Sequence, residues 1–150
     1  MGNETQSDFL RHLDQAFVLL ADGNVIVNTT DDDGVPDERR QLERYKAQLR
    51  ALGYRVQELS NSADEIRGYR NSLNAVPFVD AETDKRKIIF PVFPGEVASG
   101  YDGPLRKRYL QGKGLRAYEL FENADYEPIP IRDFAFVVGG NTHCITNVLQ

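Results

Sequence analysis

"QAFVLLADGNVIVNT", residues 15 to 29, decides how the rest of the chain is read. The apolar run from Gln15 to Ala21 reads as a strand, and Val25 to Thr29 reads as its return. Between them, Asp22-Gly23-Asn24 is a hairpin-turn signal, because tight hairpins need residues that tolerate positive φ. Downstream, "TDDDGVPD" (residues 30 to 37) is an acidic, glycine-containing loop, and Pro36 stands just before a helical pattern. In "ERRQLERYKAQLRALG" the apolar residues Leu42, Tyr45, Leu49 and Leu52 recur at spacings of three and four, which puts them on one helix face opposite the charges. Gly53 is a suitable stop, since it can enter the left-handed conformation that ends helices. Tyr54 to Leu59 reads as another strand. The order is strand, strand, helix, strand.

That order then repeats with longer connections. Asn71 to Asp80 and Lys87 to Phe93 read as paired strands joined by the polar turn "AETDKR". Pro77 and Pro91 point to edge positions or bulges, because proline offers a sheet no N–H. The glycine-rich stretch "PGEVASGYDGPLRKRYLQGKG" reads as a surface connection, with gating of a site as the alternative. Leu115 to Ala124 is a short helix whose inner face is bounded by Leu115, Tyr118, Phe121 and Glu122. "YEPIPI" leads into a strand, and Asp133 to Val138 opens a third unit. The expected units are 12–60, 70–131 and 132–150, making residues 1–150 one partial domain. Stacked units normally need several copies to close a core. The units therefore either stand as a small α/β domain or form part of a larger closed ring.

Composition narrows the function. The chain has 150 residues, 41% hydrophobic and 27% charged, as expected of one globular domain. Its apolar runs are far shorter than the roughly 18 residues of a membrane span, and "MGNETQSDFLRH" has no signal-peptide h-region. A net charge of −5 disfavours a general nucleic-acid binder. One cysteine and two histidines exclude an intrachain disulfide framework and offer no recognised metal-ligand spacing. They fit a reducing, cytoplasmic setting. "TDDDG" lacks the spacing of a calcium loop and reads as a solvated turn. "LRKRY" (residues 105 to 109) reads as a solvated basic face.

The lone thiol, Cys144, lies in "GGNTHCITN" (residues 139 to 147). A lone cysteine is commonly a small buried hydrophobe. Here Gly139 and Gly140 end an apolar strand, a break that can free backbone N–H groups and let a side chain project into a cleft. A thiol attacks only as thiolate, so it needs a cation, helix terminus or base nearby. His143 is adjacent to Cys144, but adjacent residues of an extended segment face opposite ways, so His143 reads as a packing or orienting residue. The other histidine, His12, is two residues from Asp14, and an extended segment puts both on one face. Such a pair can act as acid, base and ligand holder.

Taken in this order, H-x-D at 12 to 14, an intervening unit and G-G-N-T-H-C-I-T near the end resemble the guanidine-modifying superfamily. Its fold is the pentein, or α/β-propeller, of five units, and the agmatine deiminase and bacterial peptidylarginine deiminase branch is the nearest in pattern. The matching residues are His12 and Asp14, then Gly139, Gly140, His143, Cys144, Ile145 and Thr146. "YRNSLNAVPFV" is similar to a strand of that family bearing R-S-Y-x-N-x-L, with Asn74 at the asparagine. The resemblance implies Cys144 as nucleophile and His12 as acid and base. It further implies Asp14, Gly140 and Asn74 as substrate contacts, with neither metal nor cofactor needed. Arg70 falls in the same stretch as a candidate for a substrate carboxylate. The implied ligand is a small guanidinium compound or a protein arginine side chain; neither nucleic acid nor membrane is implied as a partner.

There are departures. After the cysteine the family commonly reads T-Q-Q-x-P, where this chain has "TNVLQ" (residues 146 to 150). Members also use a further substrate carboxylate from an earlier unit. The expectation is therefore the C-terminal half of a longer deiminase, or a minimal domain completed by a second chain. An amidinotransferase of the same fold and a non-catalytic binding or assembly module are the alternatives.

Overall fold

The hairpin within residues 15 to 29 forms in the computed structural model, which describes residues 15–132. Its first strand is three residues long rather than running from Gln15 to Ala21, because Ala21 already belongs to the turn. β1 (Phe17–Leu19) runs antiparallel to β2 (Asn24–Thr29), with Val18 opposite Ile26. Asp22 and Gly23 both have positive φ, 59° and 72°, and the Asn24 N–H donates to the Ala21 carbonyl. This is a type I′ turn, whose twist matches the twist of paired strands.

α1 (Pro36–Ala51) begins on Pro36 itself, where a missing N–H costs nothing. At the other end Gly53 has φ +90°. The Tyr54 N–H reaches the Leu49 carbonyl and the Gly53 N–H reaches that of Arg50, the two bonds of a Schellman stop. One sequence expectation fails here. Leu42 and Leu49 are buried, but Leu52 is 75% exposed. Leu52 lies past the last helical residue, and Tyr54, turned back by the stop, packs with Leu49 instead.

β3 (Arg55–Ser60) pairs parallel with β2, completing a sheet of order β1-β2-β3. Alternation then assigns its two faces. Val25 and Val27 pack with Leu49 of α1, while Ile26 and Leu59 join the larger core on the opposite side. A short helix that the sequence reading missed, α2 (Ala63–Arg67), follows. Its signal is a capping box: Ser62 accepts from the Glu65 N–H, and the Glu65 carboxylate accepts from the Ser62 N–H. The acidic loop is not merely solvated, because Asp32 accepts N–H bonds from Gly34 and from Ala63 of α2.

The second unit repeats the first. β4 (Val76–Val79) is antiparallel to β5 (Arg86–Val92), and β6 (Glu127–Arg132) is parallel to β5. β4 is shorter than the expected run because residues 71–75 turn inward and are buried before pairing begins. Pro77 lies on this edge strand, as proline requires. Pro91 is on the central strand, but beyond Ile89, the last residue that β4 pairs. The position is locally an edge.

α3 (Gly112–Asn123) starts three residues earlier than the expected Leu115. It lies between the sheets, sharing one core with Ile26 and Leu59 of the first and Ile88, Phe90 and Val92 of the second. The Phe121 ring sits 5.2 Å from that of Phe90. At one end the units are also joined by polar contacts. The Tyr126 hydroxyl accepts the Ala21 N–H at 2.9 Å, and Arg86 pairs with Asp22 at 2.6 Å. The long connection folds on itself: Val97 bridges to Leu110, Tyr101 stacks on Tyr109, and Arg132 donates to the Tyr101 and Gly103 carbonyls. Lys107 pairs with Glu122 and Arg108 lies over Tyr109, so part of the basic cluster is engaged. No helix among the described residues is long and apolar enough to cross a membrane. The predicted strand Asp133 to Val138 lies outside the described residues.

Candidate functional site

The parallel pairs orient both units alike. The C-terminal ends of β2 and β3 meet the start of α3, which follows the C-terminal end of β5, and open α/β sheets place their ligands at such ends. Here the structure concentrates buried polar side chains: Gln15, Asn28, Asn61, Asn71, Asn74, Glu96 and Lys113 are each at most 7% exposed.

The hydrogen bonds of Lys113, Asn61, Asn28, Asn71 and Gln15 form a connected set. Lys113 Nζ donates to Asn61 Oδ1 at 3.1 Å and to the Arg70 carbonyl. Asn61 Nδ2 donates to Asn28 Oδ1 at 3.0 Å and to the Leu59 carbonyl at 2.8 Å. Asn28 Nδ2 donates to Asn71 Oδ1 at 2.7 Å and to the Gln15 carbonyl at 2.9 Å. Asn71 Nδ2 reaches the same carbonyl and Gln15 Oε1, both at 3.2 Å. Such a network rigidifies when its members are satisfied and is costly when they are not.

Charge is held in this cluster against its usual tendency. Burial lowers the pKa of the Lys113 ammonium below its ordinary value, although Glu65 and Glu96 oppose the shift. Glu65 Oε1 lies 3.7 Å away. Burial likewise pushes the Glu96 carboxyl up, against the Phe93 N–H that it accepts at 3.0 Å and the Lys113 charge. The sequence "GKG" (residues 112 to 114) makes the arrangement possible. Gly112 has φ +58°, and a Cβ on Gly114 would stand 3.1 Å from Glu96 Cβ and Oε2. One glycine turns the chain, and the other admits the carboxylate.

Of the residues singled out from sequence, Asn74 lies here, fully buried, with its main-chain N–H on the Asn71 carbonyl. Arg70 is half-buried and contributes its carbonyl to Lys113. His12, Asp14, Gly139, Gly140, His143 and Cys144 lie outside the described residues. Sequence reasoning missed Lys113, Glu96, Gln15, Asn28, Asn61 and Asn71. The lysine between two glycines was the available signal; the amides carry no periodicity of their own. Among the described residues, no group of three or more His, Cys, Asp or Glu could hold a metal ion. Two open surface clefts, of about 280 and 420 Å³, are not lined by any of the buried polar residues.

The fold defines a class: a mixed α/β protein of small three-stranded sheets, built in repeated strand, strand, helix, strand order. Among solved structures the chain is similar to C. jejuni agmatine deiminase, with a TM-score of 0.59 and 16% identity. The match covers 89% of this chain and 36% of that one, so this chain spans about a third of its length. At that identity the likeness is one of fold. No family of known sequences matches the chain, and no curated protein does. The coarse expectation from sequence, a mixed α/β fold like part of agmatine deiminase, is therefore met.

Proposed function

We propose that the protein is a guanidinium hydrolase of the pentein type, acting on agmatine or on a free or peptidyl arginine. The observation that carries this reading is the buried cluster holding Gln15. The residue next to Asp14 is fixed at the strand ends where α/β folds bind ligands, in a fold like that of part of agmatine deiminase. β6 ends at Arg132, at the same end of its sheet, and Cys144 follows twelve positions later in the sequence.

The chemistry follows from the substrate. A guanidinium is planar, cationic and a poor electrophile, so a carboxylate that accepts two of its N–H groups fixes its plane. Asp14 is that clamp, with the Gly140 main chain and the Asn74 amide as further contacts. The bound cation favours the thiolate of Cys144. The thiolate attacks the central carbon, forming a C–S bond, and His12 protonates the nitrogen that leaves as ammonia. His12 then takes a proton from water, whose oxygen attacks the thiouronium carbon. The C–S bond breaks, the thiolate is regenerated, and a ureido product leaves. Remaining substrate contacts, including a further carboxylate, come from additional units of a longer chain or of a second chain.

The test uses the full-length protein, or this chain together with the chain that completes its site, with agmatine, arginine and a peptidyl-arginine, and the ureido product and ammonia as readouts. Wild type is expected to form both and Cys144→Ala neither. Cys144 is expected to react with iodoacetamide faster in the folded protein than in the denatured chain near neutral pH. Equal labelling rates together with no ureido product from any substrate would sink the reading. Transfer of the amidino group to an added amine, with no hydrolysis, would identify an amidinotransferase instead.

A further inference from the structure

Lys113 is an unusual residue to bury. It sits at the second position of α3, where the helix dipole disfavours a cation, and only 2% of it is exposed. Burying a charge is costly unless its donors are matched, and replacing such groups with apolar ones is often neutral for stability. A reason beyond stability is needed, and the direction of the hydrogen bonds supplies one.

An ammonium can only donate. Because Lys113 donates to Asn61 Oδ1, the Asn61 Nδ2 must point the other way, and it meets Asn28 Oδ1. Asn28 Nδ2 is then directed at Asn71 Oδ1 and the Gln15 carbonyl. Asn71 Nδ2 in turn is directed at the same carbonyl. Every bond in the series runs from the lysine toward Gln15. A primary amide can flip, exchanging donor and acceptor. The cation at the head works in the same sense as the Leu59 and Gln15 carbonyls and the Leu73 N–H, which meet Asn61, Asn28 and Asn71 along the series. All of them select one orientation for the three amides. The series joins α3 to the residue after β3, to β2, to the turn before β4 and to the main chain before β1.

We propose that Lys113 is a positioning residue: it heads a one-way relay of amides that ends on the Gln15 carbonyl and so fixes the main chain from which Asp14 and His12 extend. Its consequence for catalysis rests on the reading of His12 and Asp14 given above; the relay itself does not. Small errors in the placement of a reacting pair lower rates steeply, so a device far from the bond being broken can govern turnover.

Two measurements separate these claims. In wild type, nuclear magnetic resonance couplings across the hydrogen bonds are expected from Asn28 Nδ2 and Asn71 Nδ2 to the Gln15 carbonyl carbon. Their absence overturns the relay. Lys113→Met keeps the apolar stem and removes every donor. The Asn61, Asn28 and Asn71 side-chain amides should then exchange with solvent about ten-fold faster or more, while α1 amides that report global opening change by less than about two-fold. Uniform acceleration everywhere would make Lys113 a general stability element and defeat the proposal. In the hydrolase assay Lys113→Met should lower kcat by about ten-fold or more with KM within about two-fold. A wild-type kcat in this variant overturns the positioning role. If wild type forms no product while the couplings and local exchange behave as stated, the guanidinium reading falls and the relay stands. Should Lys113→Met fail to fold, Lys113→Gln retains a shorter donor and is expected to show intermediate exchange and turnover. Behaviour indistinguishable from wild type would count against the relay.

Discussion

Two residues show how backbone and charge are settled one position at a time. Gly53 ends α1 at φ +90°, and both orphan carbonyls of the Schellman stop depend on that turn. Gly53→Ala is expected to cost about 1–2 kcal/mol, because the left-handed region crowds a Cβ against the following carbonyl. A lower urea midpoint with an unchanged slope would verify it. Glu96 makes a prediction about pH. Its folded acidity is weakened by burial, so its pKa lies above the ordinary 4.5 of the free side chain. Between those values the folded state holds more protons than the unfolded one, and stability must fall as pH rises through that window. Glu96→Gln should abolish this slope, leaving a flatter profile of urea midpoint against pH than wild type. An identical profile would mean that Glu96 titrates as it does in solvent. The groups facing it are the Phe93 N–H, Lys113, Glu65 and Arg116. Lys113 has the opposite sign: its pKa is lowered, so stability rises as pH climbs from that value toward 10.5.

The elements differ in how openly their sequences announce them. α1 has apolar residues at helical spacing, a first-position proline and a terminal glycine, and it forms close to its expected bounds. α3 does not, because its first turn is "GKG", a poor helix former. Those glycines serve the buried cluster instead. Gly114→Ala tests which requirement wins. Helix propensity alone would favour alanine by about 1 kcal/mol. The new Cβ would lie 3.1 Å from Glu96 atoms that are buried and hydrogen-bonded, so there is little room to give. The net result is expected to be destabilising, and a raised urea midpoint would refute the tight approach. α2 was readable after the fact from Ser62 and Glu65, but a five-residue helix has no periodic face to reveal it. The same limit hid the amides. Asn28 looks like the polar end of a strand, and only its partners disclose that it is buried.

On the scale of the molecule, one core serves both units. Phe90, fully buried against Phe121, belongs to the same cluster as Ile26 and Leu59 of the first sheet. Phe90→Ala is expected to cost about 3–5 kcal/mol. Because the core is shared, the loss should appear at both sheets at once: amides of β2 and β5 should lose exchange protection together. Loss confined to β5 would mean that the units open independently. The outer face of the second sheet is less well covered than its inner face. Phe78 and Ile131, on the side away from Phe90, are each 37% exposed. The first sheet, in contrast, has α1 on one face and α3 on the other.

The sequence by itself determined the element order and the hairpin turn, because these depend on local chemistry: Asp-Gly at positive φ, apolar spacing, and proline and glycine at helix ends. It also named a candidate chemistry through His12, Asp14 and Cys144, a matter of residue type and order. Tertiary structure decided what local pattern cannot carry. It placed α3 between two sheets, turned Leu52 outward, and gathered three asparagines, a glutamine and a lysine at one end of the strands. Such a cluster is assembled from residues 15 to 113, and a hydrogen bond across that distance leaves no period in the chain. Its cost and its direction exist only once the fold has closed around it.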